Sequence, residues 1–194
     1  MQRFLLSLAL LSGCDAFCAG SRFPGAAEGC SSPDGHFWVS YIPPSESESH
    51  RLQIGVAGAP KYHGRPLLGF NRSCDVLWSP DSKRLALTDW GGSDYSEIVL
   101  VEVGKEPGPV TLGAQSFEKM MTWEESHGHC YCEAVQWLDG DRLQVRVFGH
   151  ADQAPLHEFD YRFMVHVPSG LVTLSLKGEE ANHTAEPGSP SRAG

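Results

Sequence analysis

Residues 76–87 read Val-Leu-Trp-Ser-Pro-Asp-Ser-Lys-Arg-Leu-Ala-Leu, and their pattern recurs along the chain. Apolar residues run up to Trp78, a Ser-Pro-Asp-Ser group follows, and apolar residues resume at Leu85. Proline presets the backbone φ of a turn, and an aspartate side chain accepts hydrogen bonds from the backbone that follows it. The stretch therefore predicts two β-strands joined by a tight turn.

Two further copies of this pattern flank the first. Residues 31–35 read Ser-Ser-Pro-Asp-Gly before the apolar run 37–41, and residues 138–141 read Leu-Asp-Gly-Asp between two apolar segments. In the second and third copies the strand after the turn carries alternating apolar residues, Leu85 and Leu87 in one and Leu143, Val145 and Val147 in the other. This spacing is typical of a strand with one buried face. Later apolar segments predict further strands at 52–56, 97–103, 160–167 and 171–176.

The copy at 76–87 resembles the Trp-Ser-Pro-Asp-Gly repeat of TolB-type and related β-propellers, and the resemblance extends over residues 30–176. Propellers close with at least four blades of about 40 to 45 residues, and this chain has room for about three. The resemblance implies an all-β fold, an antiparallel meander of about nine to eleven strands in two to three blade-like units, too short for a closed propeller. An open sheet stack, a degenerate fragment and a subunit that closes by self-association all fit. An ordinary meander with Pro-Asp-Gly turns gives the same signal.

The charge of the chain bears on its partners. Its 194 residues include 15 Lys and Arg against 24 Asp and Glu, a formal net charge of −9. Because nucleic-acid binding requires clustered basic residues, this charge argues against a nucleic-acid partner. The sequence also lacks the Gly-x-Ser-x-Gly, His-Glu-x-x-His and Gly-x-x-x-x-Gly-Lys motifs. We therefore predict a protein that is not an enzyme and uses no cofactor.

The first residues predict export. Arg3 precedes an apolar run at 4–11 and then small residues, which is the pattern of a secretory signal peptide. The apolar run is too short to span a bilayer. The predicted organisation is a signal peptide at 1–13, a tether at 14–29, a β domain at 30–177 and a disordered tail at 178–194.

The end of the predicted signal peptide bears on membrane attachment. Residues 11–14, Leu-Ser-Gly-Cys, resemble the lipobox of bacterial lipoproteins. The resemblance implies cleavage before Cys14, attachment of lipid to its sulfur, and a periplasmic protein held at the inner or outer membrane by that lipid alone. Cleavage after Ala16 would instead give a soluble periplasmic or secreted protein.

Binding surfaces are predicted on two loops. Residues 116–125 are the one stretch rich in helix formers and predict either a short helix or a long loop between the second and third copies. Residues 89–95 form a Gly-rich acidic hairpin tip that carries Trp90 and Tyr95. Because aromatic residues dominate binding hot spots, we predict Trp90, Tyr95 and Trp123 as contacts with a protein partner. The alternative for Trp90 is that it folds back on the sheet.

The cysteines predict disulfide bonds. Disulfides persist in the oxidising environment that export implies. Cys30, Cys74, Cys130 and Cys132 each lie close to a predicted strand, which makes these four the disulfide candidates, with several pairings open.

A metal site is the alternative for part of this set. His127, His129, Cys130 and Cys132 lie within six residues of one another, and imidazole and thiolate are ligands of zinc and copper. The Cys-x-Cys spacing differs from the Cys-x2–4-Cys of structural zinc sites. Under this alternative the chain is a metal-binding protein or a metal-dependent enzyme.

The leading prediction of function is a binding protein. Export, the lipid anchor and the lack of a catalytic motif favour a non-enzymatic β protein that binds another macromolecule in the bacterial periplasm or envelope. The repeat pattern also predicts self-association as a possible mode of assembly.

Overall fold

The structure is a computed structural model, and it describes residues 20–25, 27–46, 48–59, 63–105, 109–151 and 157–177. The predicted signal peptide (1–13), the predicted lipidation site Cys14 and the predicted tail (178–194) lie outside the described residues. The strands are β1 (Ser21–Phe23), β2 (Gly29–Ser31), β3 (Phe37–Ile42), β4 (His50–Val56), β5 (Arg65–Phe70), β6 (Ser73–Trp78), β7 (Arg84–Trp90), β8 (Tyr95–Glu102), β9 (Val110–Leu112), β10 (His129–Trp137), β11 (Arg142–Ala151), β12 (His157–His166) and β13 (Leu171–Lys177). The helix α1 spans Trp123–His127, and short 3₁₀ helices span Ala114–Ser116, Glu118–Met120 and Val167–Ser169.

Three four-stranded antiparallel meanders make up most of the fold. The first meander consists of β2 to β5, the middle meander of β6 to β9 and the third meander of β10 to β13. β1 pairs with β6, and β8 runs parallel to β10 over two residue pairs, so the middle and third meanders share one sheet. This architecture confirms the prediction of an all-β antiparallel meander with a short helix, and the sheets of the described residues stay open.

Each meander has one of the three aspartate turns between its first and second strands. In the middle meander the Ser79 hydroxyl donates to Asp81 Oδ1 at 2.7 Å and accepts the backbone N–H five positions further on at 2.9 Å. The first meander repeats this arrangement with Ser32 and Asp34, at 2.6 and 3.0 Å. The third turn has no such serine, and Asp139 instead accepts the backbone N–H groups two and three positions on. The same hydrogen-bonded turn thus forms twice, and a related aspartate turn forms in the third meander.

The three turns also contact one another. The backbone N–H of Asp34 donates to Ser82 Oγ at 3.0 Å, which joins the first turn to the second. The Arg84 guanidinium donates to Asp141 Oδ1 at 2.7 Å and to the carbonyl oxygen of Gly140, which joins the second turn to the third. The meanders therefore stack in chain order, with their turns in a row at one end of the molecule.

The middle meander is buried on both faces. Leu85 and Leu87 pack in a core with the first meander, whereas Ala86, Ile98 and Leu100 pack in a second core with the third meander. A strand buried on both faces reads as a continuous apolar run rather than an alternating one. This is why β7 and β8 carry consecutive buried apolar residues.

Part of the predicted tether belongs to the sheet. β1 pairs with β6, and Phe23 is fully buried (0% exposed) in the core between the first and middle meanders. Burying a phenylalanine side chain contributes about 1.5–3 kcal/mol, so this strand is part of the folded unit. The β structure thus begins at Ser21, before the predicted domain boundary at residue 30.

Residues 116–125 form short helices, which confirms the first of the two alternatives that the sequence allowed. A 3₁₀ helix precedes α1, and α1 begins at a capping box. The Thr122 side chain accepts the backbone N–H of Glu125, and the Glu125 carboxylate accepts the backbone N–H of Thr122 at 2.8 Å. This reciprocal pair satisfies two amides at the helix start. None of the helices in the described part of the chain is long and apolar enough to cross a membrane.

Candidate functional site

One end of the sheet collects the aromatic residues predicted for binding. Trp90 ends β7, Tyr95 begins β8, and Trp123 begins α1, which leads into β10. The backbone N–H of Cys130 in β10 donates to the carbonyl oxygen of Asp94 at 3.1 Å, which joins this hairpin to the strand after α1. The region, called the helix end below, comprises Trp90, the hairpin tip 91–94, Tyr95 and α1 (Trp123–His127).

Trp123 is the most prominent residue of the helix end. Its side chain is 63% exposed, although tryptophan is highly buried on average in folded proteins. Its ring stacks on His127 with centroids 4.5 Å apart, and His127 Nδ1 lies 2.9 Å from the Trp123 carbonyl oxygen. Tyr95, on the neighbouring hairpin, is 48% exposed. The structure therefore holds two exposed aromatic rings on short, hydrogen-bonded elements.

A buried carboxylate anchors α1 to the third meander. Glu125 is 1% exposed, and its Oε1 accepts the hydroxyl of Tyr161 in β12 at 2.8 Å. Burial, together with the hydrogen bond to Glu125, raises the pKa of Tyr161 above its usual range. The contact fixes the orientation of α1, and with it the position of Trp123.

Trp90 has a different environment from the other two aromatic residues. Its indole Nε1 donates to Asp75 Oδ2 at 2.7 Å, and the Arg22 guanidinium lies 5.4 Å from its ring centroid. Arg22 also donates to Asp75 Oδ1 at 2.6 Å, so the three side chains form one cluster on the sheet. Trp90 thus folds back on the sheet, as in the alternative interpretation of the sequence, and Tyr95 and Trp123 remain as the exposed pair.

The prediction of disulfides is wrong for this structure, because none of the four candidate cysteines is bonded to another. Cys30 and Cys74 pack between the first and middle meanders, whereas Cys130 and Cys132 pack in the other core. The Cα atoms of residues two positions apart in a strand are about 6.6 Å apart, near the upper limit for a disulfide. Cys130 and Cys132 instead share a hydrogen bond, which together with burial raises the pKa of Cys132.

The four residues of the metal alternative do not converge. Cys130 and Cys132 are buried in the core, whereas His129, one position along β10, lies on the opposite face with its ring 4.3 Å from that of His150. His127 stacks on Trp123 in α1. Within the described residues no group of three or more His, Cys, Asp or Glu side chains is arranged to hold a metal ion.

Sequence reasoning missed a second candidate site, a groove of about 510 Å³ between the β1–β6 edge and the third meander. We call it the arginine groove. Its charged lining residues come from five strands and are Arg22, Asp75, Glu133, Arg146 and Arg162. The alternation of polar residues in β11 marks Arg146 as outward-facing, but Arg22 lies within the predicted tether, 53 residues from its partner Asp75. Only the fold brings these side chains together.

Comparison with known proteins assigns neither site. No protein-family model matches the chain, and no curated protein matches it significantly. The function is therefore argued from the geometry of the two sites.

Proposed function

We propose that this chain is an exported, non-enzymatic β protein that binds a protein partner through the helix end. The observation that carries the proposal is the exposure of Trp123 (63%) on a helix that is capped and tied to the core. Tryptophan and tyrosine are enriched among residues that dominate binding energy. A ring that is already fixed loses little conformational entropy on binding, which favours affinity.

The surroundings of Trp123 indicate the chemistry of the partner. Asp94 on the hairpin tip and Glu124 on α1 are both exposed beside the two exposed rings. The chain as a whole carries a formal net charge of −9. Complementary potentials favour encounter, so the partner proposed here has an apolar pocket bordered by basic residues.

Export and a lipid anchor complete the proposal. Their support is the signal-like pattern of residues 1–13 and the Leu-Ser-Gly-Cys sequence that ends at Cys14. Two or more acyl chains give stable attachment to a membrane, whereas one chain gives marginal attachment. Mass spectrometry of the full chain expressed in a bacterium tests this part: a mature protein that begins at a lipidated Cys14 supports it. A protein that keeps residues 1–13 would contradict export.

Site-specific photocrosslinking tests the binding surface. A photoreactive phenylalanine analogue replaces Trp123 in one sample and Leu138 in another, because Leu138 is 42% exposed at the opposite end of β10. The proposal predicts a discrete adduct from position 123 that position 138 does not give. Adducts of equal yield from both positions, or none from position 123, would contradict it.

Alanine variants supply the matched control. For these variants the photoreactive analogue is placed at position 95. Trp123→Ala is expected to weaken recovery of the crosslinked partner by at least about tenfold, since hot-spot residues contribute 2 kcal/mol or more. Leu138→Ala is expected to leave that recovery unchanged. Urea midpoints of both variants establish that the fold persists.

A further inference from the structure

The arginine groove places like charges next to each other. Arg22 reaches the groove from β1, Arg146 from β11 and Arg162 from β12. Arg146 and Arg162 are directly opposite each other in the register of β11 and β12. Like charges directly opposite in a sheet are destabilising unless carboxylates compensate them.

Two of the three arginines have carboxylate partners within the protein. Arg22 donates to both oxygens of Asp75, at 2.6 and 2.7 Å. Arg146 donates to both oxygens of Asp160, with the shortest contact at 2.8 Å. Each of these guanidinium groups is therefore held by a two-point contact, the strongest form of this interaction.

Arg162 differs from the other two. It is half-buried, and no side chain of the described residues lies within ion-pair or hydrogen-bond distance of it. The remaining carboxylate of the groove, Glu133, lies 3.7 Å from the Arg146 guanidinium. Asp75, Glu133 and Asp160 thus balance the three arginines in charge, but the half-buried Arg162 guanidinium makes no ion pair with the described side chains.

The rest of the lining defines the body of a ligand. Leu77, Ala134 and Val135 contribute apolar surface beside the charged residues. A volume of about 510 Å³ lies in the range of small-molecule sites. A ligand that fits has a charged group for Arg162 and a small aliphatic portion for these three residues.

We propose that the arginine groove binds a ligand with a single carboxylate group and a small aliphatic body, and that Arg162 pairs with the carboxylate. A guanidinium matches a carboxylate in a two-point contact. A phosphate dianion would place two negative charges near Asp75, Glu133 and Asp160, whereas a carboxylate places one. The ligand is either a free aliphatic acid or the carboxyl terminus of a peptide. This site is separate from the helix end, and its test does not depend on the proposed function.

Calorimetric titration of the full chain tests the proposal. The probes are 4-methylpentanoate for the free acid, N-acetylleucine for a peptide terminus, N-acetylleucine amide as the neutral analogue, and inorganic phosphate. At least one carboxylate is expected to bind more tightly than both the amide and phosphate, and the tighter of the two carboxylates identifies the source. Failure of both carboxylates to bind, or tighter binding of the amide or of phosphate, would overturn the proposal.

A pair of variants locates the binding. Arg162→Gln is expected to weaken carboxylate binding by at least about tenfold, because a hydrogen bond to a charged group contributes about 1.5 kcal/mol or more. Arg142→Gln removes the same charge from β11 at an exposed site paired with Asp139, and it is expected to leave binding unchanged. Equal effects of the two variants would overturn the assignment.

Discussion

Strands β7 and β11 are both the second strand of a meander, but they are buried differently. β7 of the middle meander has four consecutive buried residues, Leu85 to Thr88, because another meander packs on each of its faces. β11 of the third meander buries only alternate residues, such as Leu143 and Val145, while Gln144 lies on the opposite, partly exposed face.

The difference shows that, within the described residues, the third meander is the last of the stack. Its outward face carries Glu133, Arg146, Asp160 and Arg162, whereas the two interfaces between meanders are apolar. In stacked repeats the terminal unit has a polar outer face. This face therefore suits a polar ligand better than a further meander.

The largest expected effect contrasts the doubly buried strand with an edge strand. Leu87→Ala in β7 is expected to lower the free energy of unfolding by about 3 kcal/mol, because it removes buried methyl groups and leaves a cavity. Leu174→Ala in β13, where the side chain is 46% exposed, is expected to cost under about 1 kcal/mol. Urea denaturation measures both. Similar losses for the two variants would mean that β7 is not enclosed.

A second contrast compares the two faces of the third meander. Tyr161→Phe removes the buried hydrogen bond to Glu125 and is expected to cost about 2 kcal/mol. Tyr131→Phe removes a hydrogen bond from the half-exposed outward face to the carbonyl oxygen of Ser93 and is expected to cost less than half of that. Urea denaturation at neutral pH compares them, and a reversed order would contradict the assignment of the faces.

The pH dependence of stability reports on burial in the middle meander. Burial, with contributions from Asp89 and Asp75, raises the pKa of the Cys74 thiol above its usual range. The folded state keeps a proton that the unfolded chain releases above about pH 8.5, so the free energy of unfolding falls as pH rises beyond that value. Cys74→Ala is expected to flatten this slope by up to about 1.4 kcal/mol per pH unit. An unchanged slope under reducing conditions would show that the thiol is accessible to water.

The smallest expected effect distinguishes the first turn from the third. The Ser32 hydroxyl and the His36 N–H lower the pKa of Asp34 to about 2. The stability contributed by this lowered pKa is present above about pH 4 and is lost as pH falls towards 2. Ser32→Ala is expected to raise the pKa of Asp34 and to leave the pKa of Asp139, whose turn has no serine, unchanged. NMR titration of the two carboxyl groups measures both values, and a shift at Asp139 would contradict independent turns.

The aspartate turns were predictable because their determinants are local. Ser79 and Asp81 are two residues apart and make their hydrogen bonds within six residues of chain, so the sequence alone shows the turn. The apolar residues of β7 and β8 also indicated strands. The spacing of Leu85 and Leu87 predicted one buried face, which is wrong for β7, because the burial of both its faces depends on distant contacts with two different meanders.

The arginine groove and the state of the cysteines were not predictable, because each depends on long-range packing. Arg22 meets Asp75 only because β1 joins the sheet through the burial of Phe23, and that segment has no periodic pattern. The prediction of disulfides followed from the oxidising environment expected for an exported protein. The fold places Cys74 and Cys132 in separate cores, so these two residues cannot pair with each other.

Single lysine substitutions in β7 and β11 give the decisive test of the claim that the middle meander is enclosed and the third meander is terminal. Lysine is placed singly at 85–87 and at 143–145, and urea midpoints are measured. All three lysines in β7 are expected to destabilise the protein severely, because a charge is buried on either face. In β11 only the two buried positions are expected to do so, with Gln144→Lys within about 0.5 kcal/mol of the parent. If Ala86→Lys is tolerated as well as Gln144→Lys, the stacking of the three meanders is contradicted.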